Sequence, residues 1–404
     1  MIAKIEKSVA NGKITAPPSK SYAHRLMICA ALAQGGSKVS GIIDSQDMLA
    51  TLDCICALGV NYEKQDSVVT FFDHAKKAKK YKFYCRESGS TIRFFIPIAL
   101  VFGAECEFYG TKRLLSRGFE VYEKICSEQG IEMTYHEDKI AFKGSLRSGT
   151  YNVRGDISSQ FISGLLFALP LLEGNSVINI TTELESASYV DMTVLALKQF
   201  GIDIKREGNT FYIDGGQAYK PNTVQVEADA SNAAFLDAFN YIGGSVCVQG
   251  LNENSIQPDS VYKTYFEALS SGTPTLDISA CPDLGPILLA LAAVKNGATL
   301  TGTRRLRIKE SDRASAMASE LSKIGIKLEV NENSVIVNKG EINAPKEILY
   351  GHNDHRIVMA LAVISTLFGA EIDGAEAVTK SYPEFFEDLK SLQVRYEVTY
   401  ENNK

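Results

Sequence analysis

The chain has 404 residues, 45% of them hydrophobic and 22% charged, which is enough to bury the cores of two or three domains. A formal net charge of −6 argues against a nucleic-acid partner, so any anionic ligand must be met by a local cluster of cations. Eight cysteines without a Cys-x-x-Cys spacing, an N-terminus with four lysines and no apolar stretch, and no apolar run long enough for a bilayer point to a soluble cytoplasmic protein without a membrane segment or a metal site.

Taken in chain order, residues 2–9 open with a strand pattern. Helical periodicity predicts helices over 22–34, 48–58, 91–102, 120–129, 159–171, 190–200, 232–241, 283–294, 313–324, 354–368 and 383–392. Short strands are predicted over 68–72, 131–135, 140–143, 204–206, 210–213, 327–330 and 334–338. The basic run Lys76–Lys80 reads as a solvated loop.

Six glycines open similar strand-like segments: GSKVSG from Gly36, GAECEFYG from Gly103, GNSVINIT from Gly174, GSVCVQG from Gly244, GATLTG from Gly297 and GAEIDG from Gly369. Roughly two dozen residues after each comes a helix stop, at Gly59, Gly130, Gly201, Gly272, Gly325 and, with glutamine in place of glycine, Gln393. Such a unit, repeated six times, gives an α/β protein with mixed sheets, in two similar domains of three repeats each. Residues 17–223 are expected to form one domain. Residues 1–16 with 224–404 are expected to form a discontinuous second one.

The repeats align the polar residues at helix starts: Lys20-Ser21, Ser88-Gly89-Ser90, Ser158-Ser159-Gln160, Asp229-Ala230-Ser231, Pro282-Asp283 and Asp354-His355-Arg356. Helix N-termini offer unpaired N–H donors and a partial positive charge. Serine and aspartate at such positions are ordinary caps. Capping does not account for the lysines and arginines beside them, because a cation there opposes the helix dipole. Together the ends suit phosphate or carboxylate groups. In Pro17-Pro18-Ser19-Lys20-Ser21-Tyr22-Ala23-His24-Arg25 a lysine, a hydroxyl and an arginine gather at one helix mouth. Gly89 lets a ligand approach the backbone closely. Lys309-Glu310-Ser311-Asp312-Arg313 sets five polar residues before an amphipathic helix.

In this order, and with Lys380-Ser381-Tyr382-Pro383 near the end, these motifs resemble the 5-enolpyruvylshikimate-3-phosphate synthase family of enolpyruvyl transferases along nearly the whole chain. The resemblance implies an inside-out α/β barrel fold of two domains, with the active site in the cleft between them. It implies a reaction that needs no metal or cofactor. In it the 5-hydroxyl of shikimate 3-phosphate attacks the central carbon of phosphoenolpyruvate, and phosphate leaves. Carried over position by position, Ser21, Arg25, Ser158, Ser159, Ser186 and Tyr189 are expected to hold shikimate 3-phosphate, with Gln160 against its ring. Lys20, Gly89, Arg117, Arg313, Arg356 and Lys380 are expected to hold phosphoenolpyruvate, and Lys309 joins the binding set. Asp283 is the expected base at the hydroxyl, and Glu310 the proton shuttle at the methylene carbon. Lys20, aided by His355 or Lys380, is expected to stabilise the leaving phosphate. The expected partners are these two small anions, with no nucleic acid and no membrane, and the chain is expected to act as a monomer.

Four positions depart from the family pattern: Glu87 and Arg305 stand where asparagine is common, Gly118 where proline is usual, and Asp156 where a small residue is usual. Two rivals share the scaffold. A UDP-N-acetylglucosamine enolpyruvyl transferase usually carries a reactive cysteine in the second repeat, whereas the loop 111–118 has none. A non-catalytic phosphosugar binder would not need both Asp283 and Glu310.

Overall fold

In the computed structural model, residues 1–400 are described; residues 401–404, which fall in the expected discontinuous domain, lie outside the described residues. The chain divides into two compact units, residues 20–227 and residues 1–19 with 228–404.

The unit of residues 20–227 contains three four-stranded sheets of one pattern. In each, a first strand pairs in parallel with a post-glycine strand, which then pairs with a hairpin in antiparallel fashion. The sheets are Thr223–Gln225 with Ser37–Ser40, Val68–Phe71 and Tyr62–Gln65; Ala78–Tyr84 with Gly103–Tyr109, Lys139–Lys143 and Glu132–Tyr135; and Thr150–Val153 with Ser176–Ile180, Thr210–Ile213 and Lys205–Glu207. A helix joins strands that must run parallel, and a tight turn suffices for the hairpin. The basic run is thus a loop only at Lys76 and Lys77; from Ala78 onward it belongs to the strand. Lys80 and Lys82 point outward from an edge strand while Tyr81 and Phe83 are buried, the alternation that protects an exposed sheet edge.

Three helices of this unit, Lys20–Leu32, Gly89–Phe102 and Ser159–Ala168, are buried along most of their length. They are largely apolar and buried on every side, as central helices must be, with Arg25 and Arg93 as buried charges. Each has polar, partly accessible residues in its first turn: Lys20 and Ser21, Ser90, and Gln160. Burial of the helix body thus leaves the polar N-terminus as its accessible part.

The other unit repeats the pattern with changes. Thr275–Asp277, Ala298–Thr301, Ser334–Val337 and Leu328–Val330 form a regular sheet. The predicted strand over 2–9 is instead two strands. Ile2–Ile5 lies antiparallel between Ala370–Asp373 and Tyr396–Thr399, in a sheet that Leu349–Tyr350 completes. Asn11–Thr15 pairs in parallel with Ser245–Gln249. The first strand of repeat one thus joins repeat four, while the first strand of repeat four, Thr223–Gln225, joins repeat one. This exchange moves both crossings between units a few residues beyond the expected boundaries, to between Ser19 and Lys20 and between Glu227 and Ala228. The buried helices here are Ala230–Asp237, Gly285–Val294 and His355–Ser365.

The helix stops behave as their residues dictate. Gly59, Gly130, Gly201 and Gly325 are left-handed, and so is the substitute Gln393 at φ 65°; Gly272 is extended. A tighter constraint sits at Gly164, where a Cβ would lie 2.4 Å from the Arg93 carbonyl oxygen and 2.5 Å from the Tyr122 hydroxyl. Gly164→Ala should therefore cost about 1–3 kcal/mol through overpacking between two buried helices, read as a lowered Tm. An unchanged Tm would contradict that packing.

Candidate active site

In the unit of residues 1–19 and 228–404 the charged residues form a knot around Arg313. This side chain begins the helix Arg313–Lys323 and is 1% exposed. Its Nη1 donates to Asp283 Oδ1 at 2.7 Å, its Nη2 to Glu310 Oε2 at 2.8 Å, and its Nε to Asp354 Oδ2 at 2.9 Å. Burial alone would oppose the guanidinium charge. The carboxylates of Asp354, Glu310 and Asp283 outweigh that cost and raise the pKa of Arg313 well above its ordinary value.

Asp354 caps the helix His355–Ser365 by accepting from the Arg356 N–H at 3.0 Å, and it also accepts from Ser311 Oγ at 3.0 Å. Arg356 lies over the Phe235 ring and donates to Asn232 Oδ1 at 2.9 Å; its Nη2 is 3.8 Å from Asp283 Oδ2. Lys309 Nζ is 3.1 Å from Asp283 Oδ1. Desolvation lowers the pKa of Lys309 despite the pull of Asp283, and Arg313 and Arg305 add to the lowering. Lys380 Nζ donates to the Asn353 carbonyl at 2.6 Å, one residue before Asp354. His355 Nδ1 is 3.9 Å from Asp354 Oδ1. Of the expected residues, Asp283, Lys309, Glu310, Arg313 and Arg356 are thus brought together directly, with His355 and Lys380 at the margin. Asp283 does not start the long helix as predicted: it lies in the short 3-10 turn Pro282–Leu284 ahead of Gly285–Val294.

In the unit of residues 20–227 the pattern differs. Arg25 donates to Thr193 Oγ1 at 2.8 Å, the Ser21 carbonyl at 2.5 Å and the Tyr189 carbonyl at 3.0 Å, and it packs over Phe94 and Tyr189. These partners are neutral, and burial lowers its pKa to about 10. Ser21, Arg25 and Tyr189 therefore share one place.

Nearby in sequence, Lys20 pairs with Asp47 at 2.8 Å. Gln160 accepts from Arg93 Nη1 and donates to Ser90 Oγ, both at 2.8 Å. Ser158 Oγ accepts from the Gln160 N–H at 3.3 Å, which leaves its own O–H able to donate to an anion. Ser159 opens the same helix. At Gly89 a Cβ would lie 2.8 Å from Arg117 Nη1, so this guanidinium rests against the bare backbone. Ser186 is buried and left-handed at φ 56°.

Two of the four departures, Gly118 and Asp156, have local explanations. Gly118 has φ 78°, which proline cannot adopt, so this turn is built differently. Asp156 is held by Arg154 through two hydrogen bonds at 2.9 and 2.6 Å, which with Thr182 lower its pKa to about 2. Its charge is therefore matched locally.

Sequence reading left Asn232, Arg93 and Asp47 out of the site. Arg93 did carry a signal, as the sole charge within a helix otherwise filled with apolar residues. Asn232 carried none, because its contact with Arg356 spans more than a hundred positions.

The sequence model of the family described as EPSP synthase (3-phosphoshikimate 1-carboxyvinyltransferase) matches residues 5–389. The 3-phosphoshikimate 1-carboxyvinyltransferases of Clostridium kluyveri and Clostridium perfringens are each 40% identical; the matches cover 96% of this chain and 96% and 97% of theirs. The chain belongs to the EPSP synthase family. Among solved structures, EPSP synthase from Acinetobacter baumannii is 25% identical with a TM-score of 0.78, covering 99% of this chain and all of that one. The enolpyruvyl transferase NikO from Streptomyces tendae, at 13% identity and a TM-score of 0.77, shares the fold.

The Arg313 knot yields a stability prediction. Arg313→Met would strand the fully buried Asp354 carboxylate and should cost about 3–5 kcal/mol in urea denaturation. A loss below about 1 kcal/mol would mean that the knot does not hold the fold, since exposed pairs contribute only that much.

Proposed function

We propose that the side chains gathered in the two units serve one reaction, the transfer of the enolpyruvyl group of phosphoenolpyruvate to the 5-hydroxyl of shikimate 3-phosphate with release of phosphate. The reaction class follows from family membership across nearly the whole chain; the residue roles are our reading of the geometry. The observation that carries them is that Asp283 and Glu310 are both anchored on one buried guanidinium, so two carboxylates are held in fixed places for two different proton transfers.

In the addition step Asp283 takes the proton from the 5-hydroxyl as its oxygen bonds to the central carbon of phosphoenolpyruvate. Glu310 gives a proton to the methylene carbon, which becomes a methyl group. In the elimination the roles reverse: Glu310 takes a proton back from the methyl group as the bond to phosphate breaks, and the proton held by Asp283 passes to the departing phosphate. Lys20, Arg117, Arg313, Arg356 and Lys380, with the Gly89 backbone, Lys309 and His355, are assigned to phosphoenolpyruvate and the departing phosphate. Ser21, Arg25, Ser158, Ser159, Ser186 and Tyr189, with Gln160 against the ring, are assigned to shikimate 3-phosphate. Arg25 supports that assignment, because a buried cation held only by neutral oxygens attracts a phosphate strongly.

The site is read as that of a cytoplasmic monomer. Support comes from cysteines that are all free, and among the described residues no helix is long and apolar enough to cross a membrane. Light scattering should give the mass of one chain; a dimer mass would overturn the monomer.

Phosphate release from phosphoenolpyruvate tests the reaction. Release is expected with shikimate 3-phosphate and not with UDP-N-acetylglucosamine or with neither; release driven by the UDP-sugar would overturn the reading. Asp283→Asn should lower kcat by roughly a hundredfold or more while changing KM little. Turnover at the unmodified rate would remove Asp283 from the mechanism.

A further inference from the structure

We propose that Glu320 and His352 form a clasp that positions Asp354 and Arg356, making them positioning residues for the anion-binding group. The inference rests on the assignment of Arg356 to phosphoenolpyruvate given above.

Glu320 is a buried carboxylate, 1% exposed, with no part in the proton transfers. It lies on the helix Arg313–Lys323, seven positions after Arg313 and so about two turns along the same face. Its Oε2 accepts from Lys323 Nζ at 2.7 Å and from the Tyr350 backbone N–H at 2.8 Å; its Oε1 is 2.8 Å from His352 Nε2. Burial would push this carboxyl up, but the bonds from His352, Lys323 and the Tyr350 N–H hold it below its ordinary range. Lys323 also donates to the Ile348 carbonyl at 3.0 Å. One buried charge therefore ties the helix to the strand end and to the residues that follow it.

Those residues are unusual. His352 and Asn353 have φ of 51° and 52°, two successive left-handed residues and neither a glycine. Each costs on the order of 1 kcal/mol, so the pair persists only if its surroundings hold it. His352 is held by Glu320 and by edge-on packing against the Tyr350 ring at 4.9 Å. Asn353 is held by Lys380 on its carbonyl. The next residue is Asp354, which binds Arg313 and caps the helix carrying Arg356. The helix Arg313–Lys323 thus grips this segment twice, through Arg313 at Asp354 and through Glu320 at His352. Two fixed points set the direction in which Arg356 leaves the turn.

The clasp predicts an effect on binding that differs from an effect on folding. His352→Gly cuts the tether and also relieves the left-handed strain, since glycine adopts φ above zero freely. Its KM for phosphoenolpyruvate should rise at least fivefold, with KM for shikimate 3-phosphate within twofold of the parent and no loss of stability in urea. Glu320→Gln should raise the same KM, and the double variant should be no worse than His352→Gly alone, because both changes break one connection. Arg356→Lys serves as the control. If it raises KM for phosphoenolpyruvate while His352→Gly does not, the clasp is wrong and the site reading stands. If Arg356→Lys leaves KM unchanged, the site reading is wrong and the clasp falls with it. Fully additive effects of Glu320→Gln and His352→Gly would also overturn the clasp.

Discussion

A guanidinium removed from water among three carboxylates constrains everything else in the unit of residues 1–19 and 228–404. Arg313 at 1% exposure has no favourable state unless its donors are matched. Asp354 is equally unable to stand alone. Their mutual need fixes where two helices begin, and it places Asp283 and Glu310 as the remaining acceptors of the same group. Buried ion pairs of this kind add little net stability over apolar packing. What they supply is geometry, which a two-carboxylate mechanism requires.

The unit of residues 20–227 solves a different problem with similar parts. Its buried arginine Arg25 has hydroxyl and carbonyl partners and rests on aromatic faces, so its charge is oriented but not neutralised. One unit holds two carboxylates on a buried guanidinium, and the other holds a buried cation among neutral partners. Both use the same construction: apolar, buried helices with polar caps and polar or charged residues at the first turn.

Much of this was legible in the sequence because repeats print their stops. The glycines marked helix ends correctly, and even Gln393 proved left-handed where glycine was missing. The motifs placed Lys20, Ser158 and Arg356 at helix starts as expected, whereas Glu310 lies in the bend before Asp312, the cap of its helix. The losses have physical causes. The first strand of several repeats is only two to four residues long, as in Leu349–Tyr350 and Thr223–Gln225, too short for alternation to show. The lysine-rich strand Ala78–Tyr84 hid its alternation behind charge. The exchange of first strands between repeats one and four depends on pairing partners 185 and 234 positions apart, as in Thr223 with Lys38 and Ser245 with Asn11, which no local pattern records. Glu320 escaped notice for a related reason: in sequence it is one more acidic residue on an amphipathic helix, and only the fold shows that it faces inward.

The most direct test is diffraction from crystals grown with shikimate 3-phosphate and phosphoenolpyruvate. The account predicts Asp283 within hydrogen-bonding distance of the 5-hydroxyl, Glu310 beside the methylene carbon, and Arg313 still bonded to Asp354. Ligands lodged out of reach of Asp283 and Glu310, or an Arg313 parted from Asp354, would contradict it.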